Sequence, residues 1–121
     1  VKKVTSSDLE TIDETQPEQL SQAISAQTAA ALTRMMQGVV ENGTGTAAQI
    51  SGVDVAGKTG TAQHEKGKPP HAWFTSFAPA SDAKVAVAVV VEDGGTAGNE
   101  AAGGRVAAPI AKSVMEAVIG K

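Results

Sequence analysis

Apolar residues at Leu32, Met35, Met36, Val39 and Val40 follow the i, i+3, i+4, i+7, i+8 spacing of an amphipathic helix. Ser21 or Ser25 offers an N-cap, and Asn42-Gly43 offers a left-handed C-cap. Together these predict a helix over residues 21–43, with Met35 and Met36 as core filler. A second stripe, Val106, Ala107, Ile110, Ala111, Val114, Met115 and Val118, predicts a C-terminal helix over 105–119. Pro109 is tolerated there only in the first turn. Between the helices the period changes to that of strands. Residues 50–62 form an extended run broken by Gly52, Gly57 and Gly60. Residues 63–70 are a polar hairpin connection, and 72–78 a second strand in which Trp73 and Phe77 share a face and are expected in the core. After a turn at 79–83, residues 85–91 are the clearest strand. Its odd positions are all Val and its even ones Ala86, Ala88 and Val90, so both faces should be covered, with a helix close against the alanines. Residues 1–20 are polar, with a possible strand over 1–5 and Pro17 as punctuation, and read as an exposed ribbon or loop. Ribbon, helix, three-strand meander over 50–92 and helix make an α+β fold with an antiparallel sheet flanked by helices.

Composition narrows this picture. The chain has 121 residues, enough for one small domain, and is 41% hydrophobic but only 2% aromatic, so a core of Ala, Val, Leu, Ile and Met buries modest area per residue. The net charge of −3 without a basic cluster excludes nucleic acid as an expected partner. No apolar run approaches the roughly 18 residues of a membrane span. Cysteine is absent, which suits an extracytoplasmic protein without excluding other compartments. His64 and His71 flank a polar turn with no acidic or Cys cluster of metal spacing, so neither a metal nor a cofactor is expected.

The chemistry is concentrated in Lys58-Thr59-Gly60-Thr61. One cation, two hydroxyls and a residue without a side chain lie on a strand expected at a sheet edge. That chemistry suits an extended peptide carrying a carboxylate. The bland alternative is an ordinary edge lysine, two strand threonines and a glycine bulge. Residues 52–59 also match the phosphate-loop pattern G-x-x-x-x-G-K-[ST], but that mechanism needs a helix opening at Lys58. The intervening Val-Asp-Val-Ala favours a strand, and no helical stripe precedes Pro69. Ser81-Asp82-Ala83-Lys84 matches S-x-x-K, a nucleophile motif that needs Ser at a helix start with Lys one turn later. Here it falls in a turn feeding a Val strand and is set aside.

Beyond these residues the chain resembles the C-terminal part of the transpeptidase domain of class B penicillin-binding proteins, and K-T-G is a known signature of that superfamily. The resemblance rests on Val39-Val40-Glu41-Asn42-Gly43-Thr44-Gly45, on residues 56–63 around Lys58-Thr59-Gly60, on Ala72-Trp73-Phe74-Thr75-Ser76-Phe77-Ala78-Pro79, on the Val strand and on Ala107-Ala108-Pro109-Ile110-Ala111. The His-Ala-Trp-Phe form is most similar to actinobacterial members.

The resemblance implies a D,D-transpeptidase parent that cross-links peptidoglycan stem peptides through a serine acyl-enzyme and binds β-lactam antibiotics. In it, Lys58 would contribute charge and tune proton transfers. Thr59 and Thr61 would hydrogen-bond the substrate carboxylate, Gly60 would let the peptide lie against the strand, and the Thr61 amide would be one oxyanion donor. No S-x-N and no acceptable S-x-x-K occurs in the chain. The nucleophile and its base would then come from the remainder of the domain, so the chain alone is expected to be inactive. The implied location is the extracytoplasmic face of a bacterial membrane, with an anchor outside this chain. The alternative from another class is a non-catalytic interaction module that binds a partner strand at its sheet edge.

Overall fold

The computed structural model describes residues 3–16 and 18–121; Val1, Lys2 and Pro17, and the expectations placed on them, lie outside it. The polar N-terminal stretch forms a two-stranded antiparallel ribbon, β1 (Lys3–Thr5) and β2 (Thr11–Glu14), whose residues are all exposed. Helix α1 spans Ala26–Asn42 and begins at Ser25, whose Oγ accepts the Thr28 N–H at 3.1 Å. Ser21 and the residues up to 24 lie before the helix. At the other end the expected left-handed cap is absent: Gly43 has φ −109°. Instead the amides of Gly43 and Gly45 both donate to the Val39 carbonyl, at 3.1 and 2.9 Å. A Cβ on Gly43 would stand 2.9 Å from that oxygen, so glycine is required here by close approach. Gln49 Nε2 donates to the carbonyls of Val40 and Glu41, satisfying the last turn.

The three-stranded sheet has the order β3 (Ala56–Ala62), β4 (His71–Ala78), β5 (Val85–Val91), antiparallel throughout. Thr59 pairs with Phe74 and Phe74 with Val89, so β4 is central and β3 is an edge. Side chains alternate along β4: Ala72, Phe74, Ser76 and Ala78 are buried, while Trp73 is 40% exposed and Phe77 half-buried. The core aromatic is therefore Phe74, and the expected Trp73–Phe77 core pair points the other way. The cause is the two-residue period of a strand, which lets only one parity face the covering helix.

That helix is α2 (Ala108–Ile119), entered through a wide turn at Gly103–Ala107 and closed by Gly120 in the left-handed conformation. The buried side of α2 is made of Ala108, Ala111 and Met115, continued by Ala107 at its N-cap. It packs against Phe74 and the half-buried Val85, Val87, Val89 and Val91. The expected arrangement, a helix on the alanines of β5, is thus inverted. Close approach comes from small residues on the helix, and Ala86, Ala88 and Val90 are exposed on the far face. Ile110, Val114 and Val118, the outer edge of the α2 stripe, are also exposed.

Helix α1 reaches the sheet along β3. Of its apolar stripe only Val40 is buried, Met36 and Val39 are half-buried, and Leu32 and Met35 are 47% and 64% exposed. Met35 is therefore not core filler within this chain, because the stripe overhangs the edge strand.

A Cβ on Gly57 would fall 2.6 Å from Cζ of Phe74, so Gly57→Ala overpacks the core and is expected to cost about 1–3 kcal/mol. In denaturant unfolding of the intact transpeptidase, Phe74→Leu should relieve part of that cost. Strict additivity of the two changes would show that this contact is not its source.

Candidate substrate-binding groove

Strand alternation sorts the Lys58–Thr61 segment onto two sides of the sheet. Lys58 is exposed, faces the α1 side and lines a hollow with Leu32, Met35, Met36, Val39 and Thr75. Its Nζ donates to the carbonyl of Thr59 at 2.6 Å. Thr59 and Thr61 project the other way, into a groove of about 600 Å³. The facing wall is the loop after α1, Gly43, Thr44, Thr46 and Ala47, and the floor is Ala102–Arg105. The cation and the hydroxyls, adjacent in sequence, are thereby separated in space.

Each wall is held by a specific contact. Thr59 Oγ1 and Thr44 Oγ1 share a hydrogen bond of 2.8 Å across the groove. Gly60, on the Lys58 face and not in the groove lining, keeps that side of the strand low beside Trp73: a Cβ there would meet the Trp73 Cβ at 3.2 Å. Gly103 and Gly104 let the chain before α2 press inward. A Cβ on Gly103 would lie 2.0 Å from the Trp73 carbonyl oxygen, and one on Gly104 would lie 2.0 Å from that of Thr44. Neither position accommodates any side chain.

Arg105 is the one charged residue among those lining the groove. The sequence pattern treated it as the first residue of a helix and assigned it no role. The available signal was the Gly-Gly-Arg run ahead of Pro109, which places a guanidinium directly after two close-packed glycines. With Thr44, Thr46, Thr59 and Thr61 it makes a surface rich in donors, and no carboxylate lines it. Such a surface suits a small anionic group, since a hydrogen bond to a charged group contributes about 1.5–3 kcal/mol. The outer edge of β3 pairs with no other strand among the described residues, so a peptide can add there as an extra strand.

The two sequence motifs set aside fare as expected. Lys58 lies within a strand, so no helix N-terminus faces a phosphate there. Ser81 sits in an exposed turn, where its amide donates to Asp54 Oδ2 at 2.9 Å, and Lys84 pairs with Asp82. The histidines depart from expectation. His64 and His71 stack with ring centroids 3.8 Å apart, and Asp93 from the loop after β5 joins them. Asp93 lies 22 residues beyond His71, which is why local spacing did not show it.

Comparison with known proteins places the chain in a family. The model of the penicillin binding protein transpeptidase domain matches residues 1–116. The chain is 50% identical to the peptidoglycan D,D-transpeptidase PbpA of Mycolicibacterium smegmatis over 115 residues, covering 93% of this chain and 23% of the relative. It is 38% identical to stage V sporulation protein D of Bacillus subtilis over 110 residues, 87% of this chain and 17% of that protein. The solved ceftriaxone acyl-enzyme complex of penicillin-binding protein A from M. tuberculosis superimposes with a TM-score of 0.85 at 44% identity, covering 98% of this chain and 27% of that one. The chain therefore spans about a quarter of the length of the PbpA relatives it matches. A strand-edge groove of threonines, the glycines that shape it and the helices around it thus occur together in a chain that belongs to the penicillin-binding-protein transpeptidase family.

Proposed function

We propose that this chain forms the C-terminal part of the domain of a serine D,D-transpeptidase that cross-links peptidoglycan stem peptides, and that it supplies the wall that binds the peptide carboxylate. The observation that carries the proposal is the pair Thr59 and Thr61, directed from the free edge of β3 into a groove whose one charge is Arg105. The stem peptide adds to β3 as a strand. Its carboxylate takes hydrogen bonds from the two threonines and charge from Arg105, and Gly60 leaves room for the acyl chain. The Thr61 amide is one oxyanion donor, a role typically worth about 3 kcal/mol in the transition state. A β-lactam carboxylate uses the same donors, in keeping with the acyl-enzyme complex solved for the M. tuberculosis relative.

Lys58 faces the α1 side, away from the groove. In this scheme that is the side on which the rest of the domain brings the nucleophilic serine and its base, and Lys58 lends positive charge to their proton transfers. The same docking covers Leu32, Met35, Trp73 and Val90, exposed here at 40–64%. Isolated from that partner the chain has no nucleophile to acylate. None of the described helices is long and apolar enough to cross a membrane. The anchor that holds the enzyme at the extracytoplasmic face belongs to another part of the protein.

A fluorescent penicillin should label the intact protein covalently and leave the isolated chain unlabelled. Label on the isolated chain would sink the division of labour proposed here. In the intact protein, Thr59→Val with Thr61→Val should slow β-lactam acylation about a hundredfold or more, by loss of about 1.5–3 kcal/mol per charge-assisted hydrogen bond. An unchanged rate would show that the two threonines do not hold the carboxylate. Arg105→Gln should raise KM for a carboxylate-bearing peptide about tenfold or more with a smaller change in kcat, because its charge acts on the bound ground state as well. A fall confined to kcat would assign Arg105 a different role.

A further inference from the structure

The hairpin end of the sheet holds a second cluster that the groove does not use. His64 lies just beyond β3, His71 opens β4, and Asp93 follows β5, so three separate segments converge there. His64 Nε2 is 3.0 Å from Asp93 Oδ1, and His71 Nδ1 is 4.0 Å from the same oxygen. One ligand atom from each residue lies within 4.8 Å of the others. Around a tetrahedral zinc, ligand atoms at 2.0–2.1 Å from the metal stand about 3.4 Å apart. The cluster already spans that distance.

We propose that His64, His71 and Asp93 bind a divalent transition metal, with zinc as the best match. Two neutral imidazoles and one carboxylate are a donor set that suits zinc, and three protein ligands leave a fourth position for water. This proposal is independent of the function assigned to the groove. With a carboxylate oxygen 3.0 Å from His64 Nε2, the neutral ring holds its proton on that nitrogen. His71 Nδ1 accepts the Asp93 N–H at 3.0 Å, so its proton is on Nε2 and its Nδ1 lone pair is available in the neutral ring. Ligation through His64 Nε2 moves that ring's proton to Nδ1. Ligation through His71 Nδ1 releases the Asp93 amide, which turns to water on an exposed residue.

The rings stack nearly parallel, with planes 10° apart, and an ion cannot lie in both planes at once. They must swing apart about χ2. Side-chain exposures of 28% and 24% leave them that freedom. Asp93 adopts φ 49°, a left-handed conformation uncommon outside glycine, which turns its carboxylate and amide together toward the histidines. The metal would clamp the glycine-rich segment after β5 to the β3–β4 hairpin. That segment leads directly into Ala102–Arg105, the floor of the groove.

The test uses the intact protein, stripped with a chelator and titrated with Zn²⁺ at pH 7.5 against a chromophoric competitor. One saturable equivalent should bind, and His64→Gln, His71→Gln and Asp93→Asn should each weaken it at least about tenfold, since loss of an outer-shell partner alone costs 10–100-fold. Melting curves in chelator should match the parent, so that the loss reports ligation and not folding. Co²⁺ added to the parent protein should give the intense visible bands of a tetrahedral site. No saturable binding, affinity indifferent to all three substitutions, or the absence of those bands would overturn the assignment.

Discussion

The arrangement of this chain depends on the Phe74 ring and on the glycines that make room for it. Phe74 is fully buried at the centre of the middle strand. A Cβ at Gly57 would stand 2.6 Å from its Cζ and one at Gly45 would stand 3.2 Å from its Cε2. The ring thus fills the space left where the edge strand and the loop after α1 both lack side chains. On the same side it meets the buried alanines of α2. Aromatic burial of this kind is worth several kcal/mol, and here it also fixes position. With the loop drawn against the ring, Thr44 comes within hydrogen-bonding distance of Thr59, and the groove acquires two walls.

A second constraint acts at the groove floor. Trp73 and Thr44 present carbonyl oxygens where Cβ atoms of the next segment would otherwise sit, and only Gly103-Gly104 passes between them. The direct consequence is that Arg105 emerges beside the threonines. Packing and the proposed recognition therefore share the same residues. The glycines that permit close backbone contact also set the depth of the groove: a Cβ on Gly103 would strike the strand backbone, and one on Gly104 would press between Thr44 and Thr59.

The distribution of burial follows from the layering of the chain. A sheet of three strands with α2 on one face buries one parity of residues well. The other face, with Trp73, Ala86, Ala88 and Val90, and the overhanging stripe of α1 stay open. Strand parity and the overhang of α1 past β3 account for the expectations that failed. Met35, Trp73 and Phe77 carry the hydrophobicity of core residues, but hydrophobicity measures preference for burial and does not name the covering element.

Element type and order were legible in the residues themselves. The 3.6-residue stripes of the helices, the Val run of β5 and the breaks at glycine and proline are local signals, and local geometry produces them. The cation, the hydroxyls and the glycine of the proposed peptide-binding segment, Lys58 to Thr61, were likewise adjacent in the sequence. Which face each residue serves was decided only in three dimensions. Strand parity parted Lys58 from Thr59 and Thr61, placed Phe74 and not Trp73 in the core, and turned the valines of β5 toward α2. Arg105 at the groove, and Asp93 beside His64 and His71, came from pairings across strands and loops distant in sequence. The Gly-Gly-Arg run marks a close backbone approach, but no local pattern names the partner, because that depends on the register of the sheet and on where glycine lets two backbones touch.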